Sequence, residues 1–361
     1  MTKNYKIEME TLTPTHIGCG EKAIFGLDYY LEGTKVIFID FPKLIDEIRS
    51  EKERQELFRA MRSKDIGNIK SLTKKYRMEI YAIENKADRD VLVRKGVDTI
   101  LKTRSDRVYI PGSSIKGAIR TAFIYNRIGE KEKEEIRKIA NLQSIENKLE
   151  GVLKRKIIFD GDTDVDVLNS LIIRDSEEKR ADTCTSTYTL NISIADGAYA
   201  HKQPIEAINS GEKFESEISI RRDIIGIEEI KAVSSKFSSE IIEHEKEFYE
   251  RHSWWSGRER KRGVRTESLL NFYKMLKGEL DTLEGNDFLL NLGRHSGHHI
   301  KTGWSTFDYE LLFDKETSKR VADLLSRQKD VRNPFPKTRR AVIEEGRLKP
   351  LGWIKVKVYE N

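Results

Sequence analysis

"YIPGSSIKGAIRTA", Tyr109 to Ala122, is the stretch on which the reading of this chain turns. The extended "RVYI" runs into Pro111 and Gly112, then two serines, then a lysine one helical turn in. A phosphate-binding loop of the G-x-x-x-x-G-K-[ST] type would fit the first half. Gly117 follows Gly112 at that spacing, but Ala118 and Ile119 come next, so that loop is excluded. A helix start remains. Ser113 or Ser114 is the expected N-cap, leaving backbone N–H groups that attract a phosphate. Lys116 and Arg120 lie one turn apart and share a face, with Arg127 further along it. Ile115, Ile119, Ala122 and Phe123 form the adjoining apolar stripe. Two readings stand: an amphipathic helix with a solvated basic face, or a core face beside a surface for something anionic. Gly129 is the expected stop.

Outward from this helix, strands and helices mix without a regular βα alternation. Tyr5–Leu12 alternates as a strand and breaks at Pro14. "TKVIFID" is a second strand, followed by helical spacing of Leu44, Ile45, Ile48, Leu57, Phe58 and Met61. Glu130 to Glu150 reads as a charged helix. "LIIRDS" and "STYTLNISI" read as strands. "QPIEAINSGEKFESEISI" reads as a hairpin turning at Asn209-Ser210-Gly211. Beyond Ile224 the period becomes helical, with stripes Ile230–Phe248 and Leu269–Leu280. The chain returns to strands at "DFLLNLG" and "LGWIKVKVYE". This pattern predicts an α+β fold with largely antiparallel sheets. The change near Asp223 divides it into an N-terminal domain, 1–222, and a C-terminal domain, 223–361.

With 361 residues, 37% of them hydrophobic, the chain can bury a sizeable core. Charged residues make up 35%, and Lys+Arg exceed Asp+Glu by 66 − 60 = 6, a mild surplus that permits an anionic partner without demanding one. Two cysteines without framework spacing fit a reducing cytoplasm. The charged, alternating N-terminus does not read as a signal peptide, and no apolar run suits a membrane span.

Four further motifs carry candidate chemistry. In "PTHIGCGEKAIFG", Gly18, Gly20 and Gly26 permit close backbone approach. A dinucleotide fingerprint would require a following helix, and a strand pattern follows instead. His16 there is either a catalytic base or a packed, hydrogen-bonded residue. "LGRHSGHHIKTGW" sets Gly293 and Gly297 among Arg294, His295, His298, His299 and Lys301. No cysteine or nearby carboxylate completes a metal shell, and the loop better suits a polyphosphate backbone. "RHSWWSGRERKRGVR" places Trp254 and Arg258 in a basic, aromatic segment suited to single-stranded nucleic acid, or equally to a solvated loop. "NPFPKTRRAVIEEGRLKPLGW" brings Arg339 and Arg340 to a basic edge. "DGDTDVD" lacks the pattern of a calcium loop and reads as a solvated turn. No cofactor signature is present.

"THIGCGE", "YIPGSSIKGAIRTA", "LIIRDS" and "LGRHSGHHIKTGW", in that order, resemble the RAMP superfamily of CRISPR proteins across nearly the whole chain. The closing "TRRAV…PLGWIKVKV" is similar to the type III-A Csm subunits that cap the 3′ end of the guide RNA. The resemblance implies ferredoxin-like (RRM-like) domains with antiparallel sheets and helical insertions. It implies a non-catalytic subunit that binds the crRNA 3′ end, docks on the Csm backbone and small subunits, and aids crRNA maturation through host nucleases. Ser113, Ser114, Lys116 and Arg120 would then face RNA or a neighbouring subunit. Gly293, Arg294, Gly297 and Lys301 would form the RNA loop. A backbone RAMP cleaves with a loop aspartate; Asp28 in "FGLDYY" is the nearest match, in surroundings that depart from that pattern. Two alternatives remain open: a metal-independent repeat endoribonuclease using His16 or His295, and a pure protein-interaction subunit.

Overall fold

In a computed structural model, the chain is described at residues 2–63, 65–129, 154–158, 162–193, 199–221, 224–251, 266–297 and 338–360, and at the isolated residues 131, 135, 147 and 151. The first strand, β1 (Lys3–Thr11), alternates exposed and buried positions, as its sequence alternates polar and apolar residues. Its inward residues Tyr5, Ile7 and Met9 join the main core. It sits at the centre of a five-stranded antiparallel sheet in the order β13 (Phe288–Asn291), β16 (Trp353–Glu360), β1, β12 (Lys213–Ile220), β9 (Leu171–Ile173). Strands from both sides of residue 222 therefore share one sheet. The outward positions of β1 and β12 carry ion pairs, including Lys6–Glu215 at 2.8 Å and Lys213–Glu8 at 3.2 Å.

The second sheet is curled and mixed. Its order is β2 (Gly18–Ala23), β6 (Val97–Ile100), β11 (Tyr199–Ile208), β10 (Cys184–Ser193), β5 (Glu79–Asn85), β4 (Lys35–Ile39), β3 (Tyr29–Glu32). β14 (Thr338–Glu344) joins β10, and β15 (Arg347–Lys349) joins β14. Most pairs are antiparallel; β10 with β5 and β11 with β6 are parallel. A small hairpin pairs β7 (Lys154–Ile158) with β8 (Asp162–Asp166), so the described part of the acidic run is strand and not a free turn.

Helices α1 (Phe41–Glu47), α2 (Glu51–Ser63) and α3 (Ile66–Tyr76) cover the outer face of β3 and β4 through Leu44, Leu57 and Leu72. Helix α4 (Arg89–Lys95) lies between β5 and β6 in sequence. Helix α5 (Gly112–Arg127) buries Ile115, Ile119, Ala122 and Phe123, the stripe expected from the sequence. It ends at Arg127 with Ile128 capping. Helices α6 (Ile227–Arg251) and α7 (Glu267–Asp281) pack on each other around Phe237, Ile241, Leu269 and Phe272.

Two local expectations are corrected. The Asn209–Gly211 turn does not close a hairpin: β11 belongs to the curled sheet and β12 to the five-stranded one. The turn hands the chain between sheets because Gly211 N–H donates to Thr11 O (2.6 Å) and Thr11 Oγ1 donates to Asn209 O (2.6 Å), so β1 rather than β11 receives it. "RVYI" forms no ladder; Val108 makes isolated bridges to Lys102 and Lys179, and its neighbours stay extended. Most of the expected 130–150 helix lies outside the described residues.

Candidate functional site

Helix α5 starts a few residues earlier than its serines imply. Pro111 is the N-cap and makes no side-chain cap. The Gly112 N–H donates instead to Asp175 Oδ1 at 2.8 Å. Gly112 is fixed by crowding: a Cβ there would collide with the carbonyl of Ile173. The helix therefore packs its first residue directly on the end of β9 and borrows a carboxylate from the segment that follows. Ser113 points to solvent and Ser114 is half-buried, both within the first turn. The expected serine cap is corrected, and an internal anion already answers one N-terminal donor.

The basic face is half-buried and partly engaged within the fold. Lys116 Nζ donates to Leu171 O at 2.8 Å. Burial lowers its pKa, opposed in part by Asp166. Arg127 pairs with Glu229 at 3.3 Å and lies over the Phe123 ring. Lys116 is thus tied through one of its N–H donors to the backbone at the start of β9. Arg120 is half-buried.

His16 is fully buried, and its Nδ1 lies 2.6 Å from Glu206 O. Its backbone carbonyl accepts the Arg294 N–H at 2.7 Å. The Gly-rich loop is thereby docked on the first glycine loop. Gly293 has φ +82°, and a Cβ there would come within 2.5 Å of His16 O. His295 is also left-handed, at φ 71°, and buried. The rings of His16 and His295 lie 5.3 Å apart. His295 Nδ1 is 2.5 Å from Arg340 Nη1. Burial, and then the charge of Arg294, depress the Arg340 pKa, so the two guanidinium groups feel each other. Arg294 itself is exposed.

These parts meet at one groove of about 370 Å³. Its walls include Gly18, Ser114, Gly117, Thr121, Ser238, Gly293 and Arg294. Among the described lining residues none is Asp or Glu, and Arg294 is the charged one. Small residues allow a ligand backbone to approach, the half-buried Ser114 can present its hydroxyl, and the cation sits at the lip; Ser238 and Thr121 instead donate to Leu289 O and Gly117 O. That arrangement suits an anionic chain better than a cation.

Three sequence-predicted motifs are thus brought together through Gly18, Ser114, Gly293 and Arg294, with His16, His295 and Arg340 behind the wall. Gly297 closes the described part of the loop at φ 116°. Arg339 does not join them. It is buried, pairs with Glu245 at 2.9 Å and stacks its guanidinium on Phe248 at 4.2 Å. Its expected place on a basic edge is corrected: inward alternation on β14 sends it into the α6 interface. Asp28 Oδ2 accepts the Ile24 N–H at 2.7 Å and serves a turn. Lys301, His298, His299, Trp254 and Arg258 lie outside the described residues.

Sequence reasoning missed Gly117, Thr121, Phe237 and Ser238. A signal for α5 existed: Ser114, Gly117, Ala118 and Thr121 repeat at helical spacing as a third, small-residue face between the apolar and basic stripes. Among the described residues, no group of three or more His, Cys, Asp and Glu side chains could hold a metal ion. Among them, too, no helix is long and apolar enough to cross a membrane.

Comparison with known proteins gives consistent results. The RAMP superfamily model matches residues 8–297. A protein of Methanocaldococcus jannaschii described as "CRISPR system Cms protein Csm5" is 25% identical, over 98% of this chain and 89% of its own length. Among solved structures, a chain of a cryo-EM Csm-crRNA-target RNA ternary complex of a type III-A CRISPR-Cas system superposes with TM-score 0.68 at 18% identity, covering 99% of this chain and 100% of that one. The crystal structure of T. onnurineus Csm5 gives 0.59 at 17%, covering 96% and 99%. The last two likenesses establish the fold.

Proposed function

Because the chain belongs to the RAMP superfamily, we propose that it is the crRNA-binding subunit of a type III-A Csm effector, seated at the guide's 3′ end. The observation that carries this is the convergence of three distant motifs on one groove whose described lining holds no carboxylate and has Arg294 at its lip. The full-length likeness to a Csm5 protein supports the same reading. In this reading the N-terminal segment, 1–222, supplies the Gly18 wall and α5. The C-terminal segment, 223–361, supplies the Gly-rich loop, and the groove runs between them. Phosphates are held by Arg294, the Ser114 hydroxyl and backbone donors, so the RNA is gripped by charge and shape rather than by base reading.

The subunit acts without cleaving RNA. His16 and His295 lie buried behind the groove wall with their Nδ1 atoms engaged, which suits holding the loop rather than moving a proton on a substrate. Its protein partners are the backbone and small subunits of the effector, and host nucleases trim the guide. The assembly works in the cytoplasm.

The test is equilibrium binding of the purified chain to a single-stranded RNA carrying a crRNA 3′ end, at low and moderate salt. Binding that weakens steeply with salt and is reduced in Arg294→Ala supports the reading. Absence of binding at low salt, with retained docking on the other Csm subunits, would leave a protein-interaction subunit. Cleavage of repeat RNA lost in His16→Ala would make it a nuclease.

A further inference from the structure

We infer that His295 is a pH-sensitive positioning residue: neutral, it pins the Gly-rich loop and Arg340 behind the groove, and its protonation releases them. The geometry fixes its protonation state. A guanidinium nitrogen carries only hydrogens to offer. The short contact from Arg340 Nη1, 2.5 Å, therefore makes His295 Nδ1 the acceptor. An accepting Nδ1 bears no proton, so the ring is neutral with its hydrogen on Nε2. That nitrogen lies 3.9 Å from Asp98 Oδ2.

The charges around the ring come from every described element packed on it. Its own loop presents Arg294, β14 presents Arg340, and the segment ahead of β2 presents His16. β6 presents Asp98, and behind His16 β11 presents Glu206. Glu206 is matched by Lys102 at 2.5 Å. Asp98 is shared with Lys22 at 3.6 Å and Gln203 at 3.1 Å. Among the described residues, one shared carboxylate therefore faces two arginines and a second imidazole. A proton on His295 Nδ1 would set donor against donor and add a cation to a buried, already cationic corner.

Two further hydrogen bonds hold the loop. Arg294 N–H donates to His16 O, and Ser296 Oγ donates to Gly293 O at 3.3 Å. Since the folded state favours the neutral ring, its stabilising contribution is complete above the ordinary histidine pKa of about 6.5 and is lost as pH falls below it. The consequence for binding rests on the proposed RNA groove. There, acid weakens RNA affinity although it adds positive charge to the protein, opposite to the usual electrostatic trend.

The experiment is amide hydrogen exchange of the full chain, corrected for the intrinsic pH dependence of exchange, with β1 amides as reference. Protection of the Arg294 amide is expected to fall about tenfold between roughly pH 7.5 and 5.5 in the wild type. In His295→Gln, whose amide oxygen can still accept from Arg340 but does not titrate, protection should not change over that range. Ring-nitrogen NMR of the wild type gives a readout independent of that variant's folding, and should show the Nε2–H tautomer at neutral pH. Unchanged protection in the wild type, the same acid loss in His295→Gln, or an Nδ1–H tautomer would each overturn the proposal. A loop that titrates in a chain that binds no RNA would sink the groove reading and leave this one standing.

Discussion

Arg294 donates its backbone N–H to the carbonyl of His16 at 2.7 Å, and this bond clamps the Gly-rich loop near one end of the chain to the glycine loop near the other. Gly293 makes the approach feasible, with φ +82° and its α-carbon hydrogen where a Cβ would sit 2.5 Å from His16 O. Gly293→Ala is therefore expected to cost about 1–3 kcal/mol from backbone strain and the close approach together. RNA affinity should drop with it. Urea unfolding and a binding isotherm on the same preparation check both effects.

Arg294 and Lys116 are both basic and both near the groove, yet their roles separate. Exposed Arg294 should hold a phosphate, so Arg294→Ala reduces the slope of log K against log salt by about 0.7 for each phosphate it neutralised. Its melting temperature should stay near that of the wild type. Lys116 donates to Leu171 O in a half-buried setting, so Lys116→Met should leave the salt slope unchanged. It should instead shift stability by roughly 1 kcal/mol, since one hydrogen bond is removed while the stem still packs. A lowered salt slope in Lys116→Met would return this lysine to the RNA face.

Arg339 and Glu245 form a pair buried on both sides, with side chains 5% and 1% exposed. Removing the arginine takes the closest counter-charge from a buried carboxylate that also contacts His244 Nδ1 at 3.3 Å, so Arg339→Ala should cost about 3–5 kcal/mol. The double variant Arg339→Met, Glu245→Leu should recover much of that loss. Denaturant midpoints of the two single variants and the double supply the comparison. RNA affinity per folded molecule should not change.

Cys184 is buried, and burial raises its pKa well above the usual thiol value. Cys19 is exposed. A thiol reagent at neutral pH is therefore expected to label Cys19 alone in the folded chain and both cysteines after unfolding. Because the Cys184 pKa is raised, moderate alkalinity leaves it protonated and unreactive while the fold holds. Mass spectrometry of labelled peptides gives the count directly.

Local information reaches only part of the way to this fold. The apolar stripe of α5, the alternation of β1 and the stripes of α6 and α7 were legible, because burial imposes a period on the elements themselves. The Asn209–Gly211 turn was legible as a turn but not as a sheet-to-sheet crossing. Its outcome depends on Thr11, 198 residues away in the chain. The glycine loops were legible as sites of close approach, but not as partners for each other. The third face of α5, with Gly117 and Thr121, was present in the spacing but masked by its more strongly patterned neighbours.

The sequence by itself determined the α+β class, the kinship with RAMP proteins and the faces of the main helices. These follow from periodicity and from short motifs, whose information is local. Only the tertiary structure decided which basic residues are engaged within the fold and which face solvent. Lys116, Arg127 and Arg339 look alike in sequence, but each finds a carbonyl or carboxylate far along the chain: Arg339 is buried with its partner, while Lys116 and Arg127 are tied down half-buried. Arg294 is left exposed at the lip of the groove. Whether a charge faces water or a buried partner is a long-range property, because desolvation and pairing are settled by what packs against the side chain and not by its neighbours in sequence.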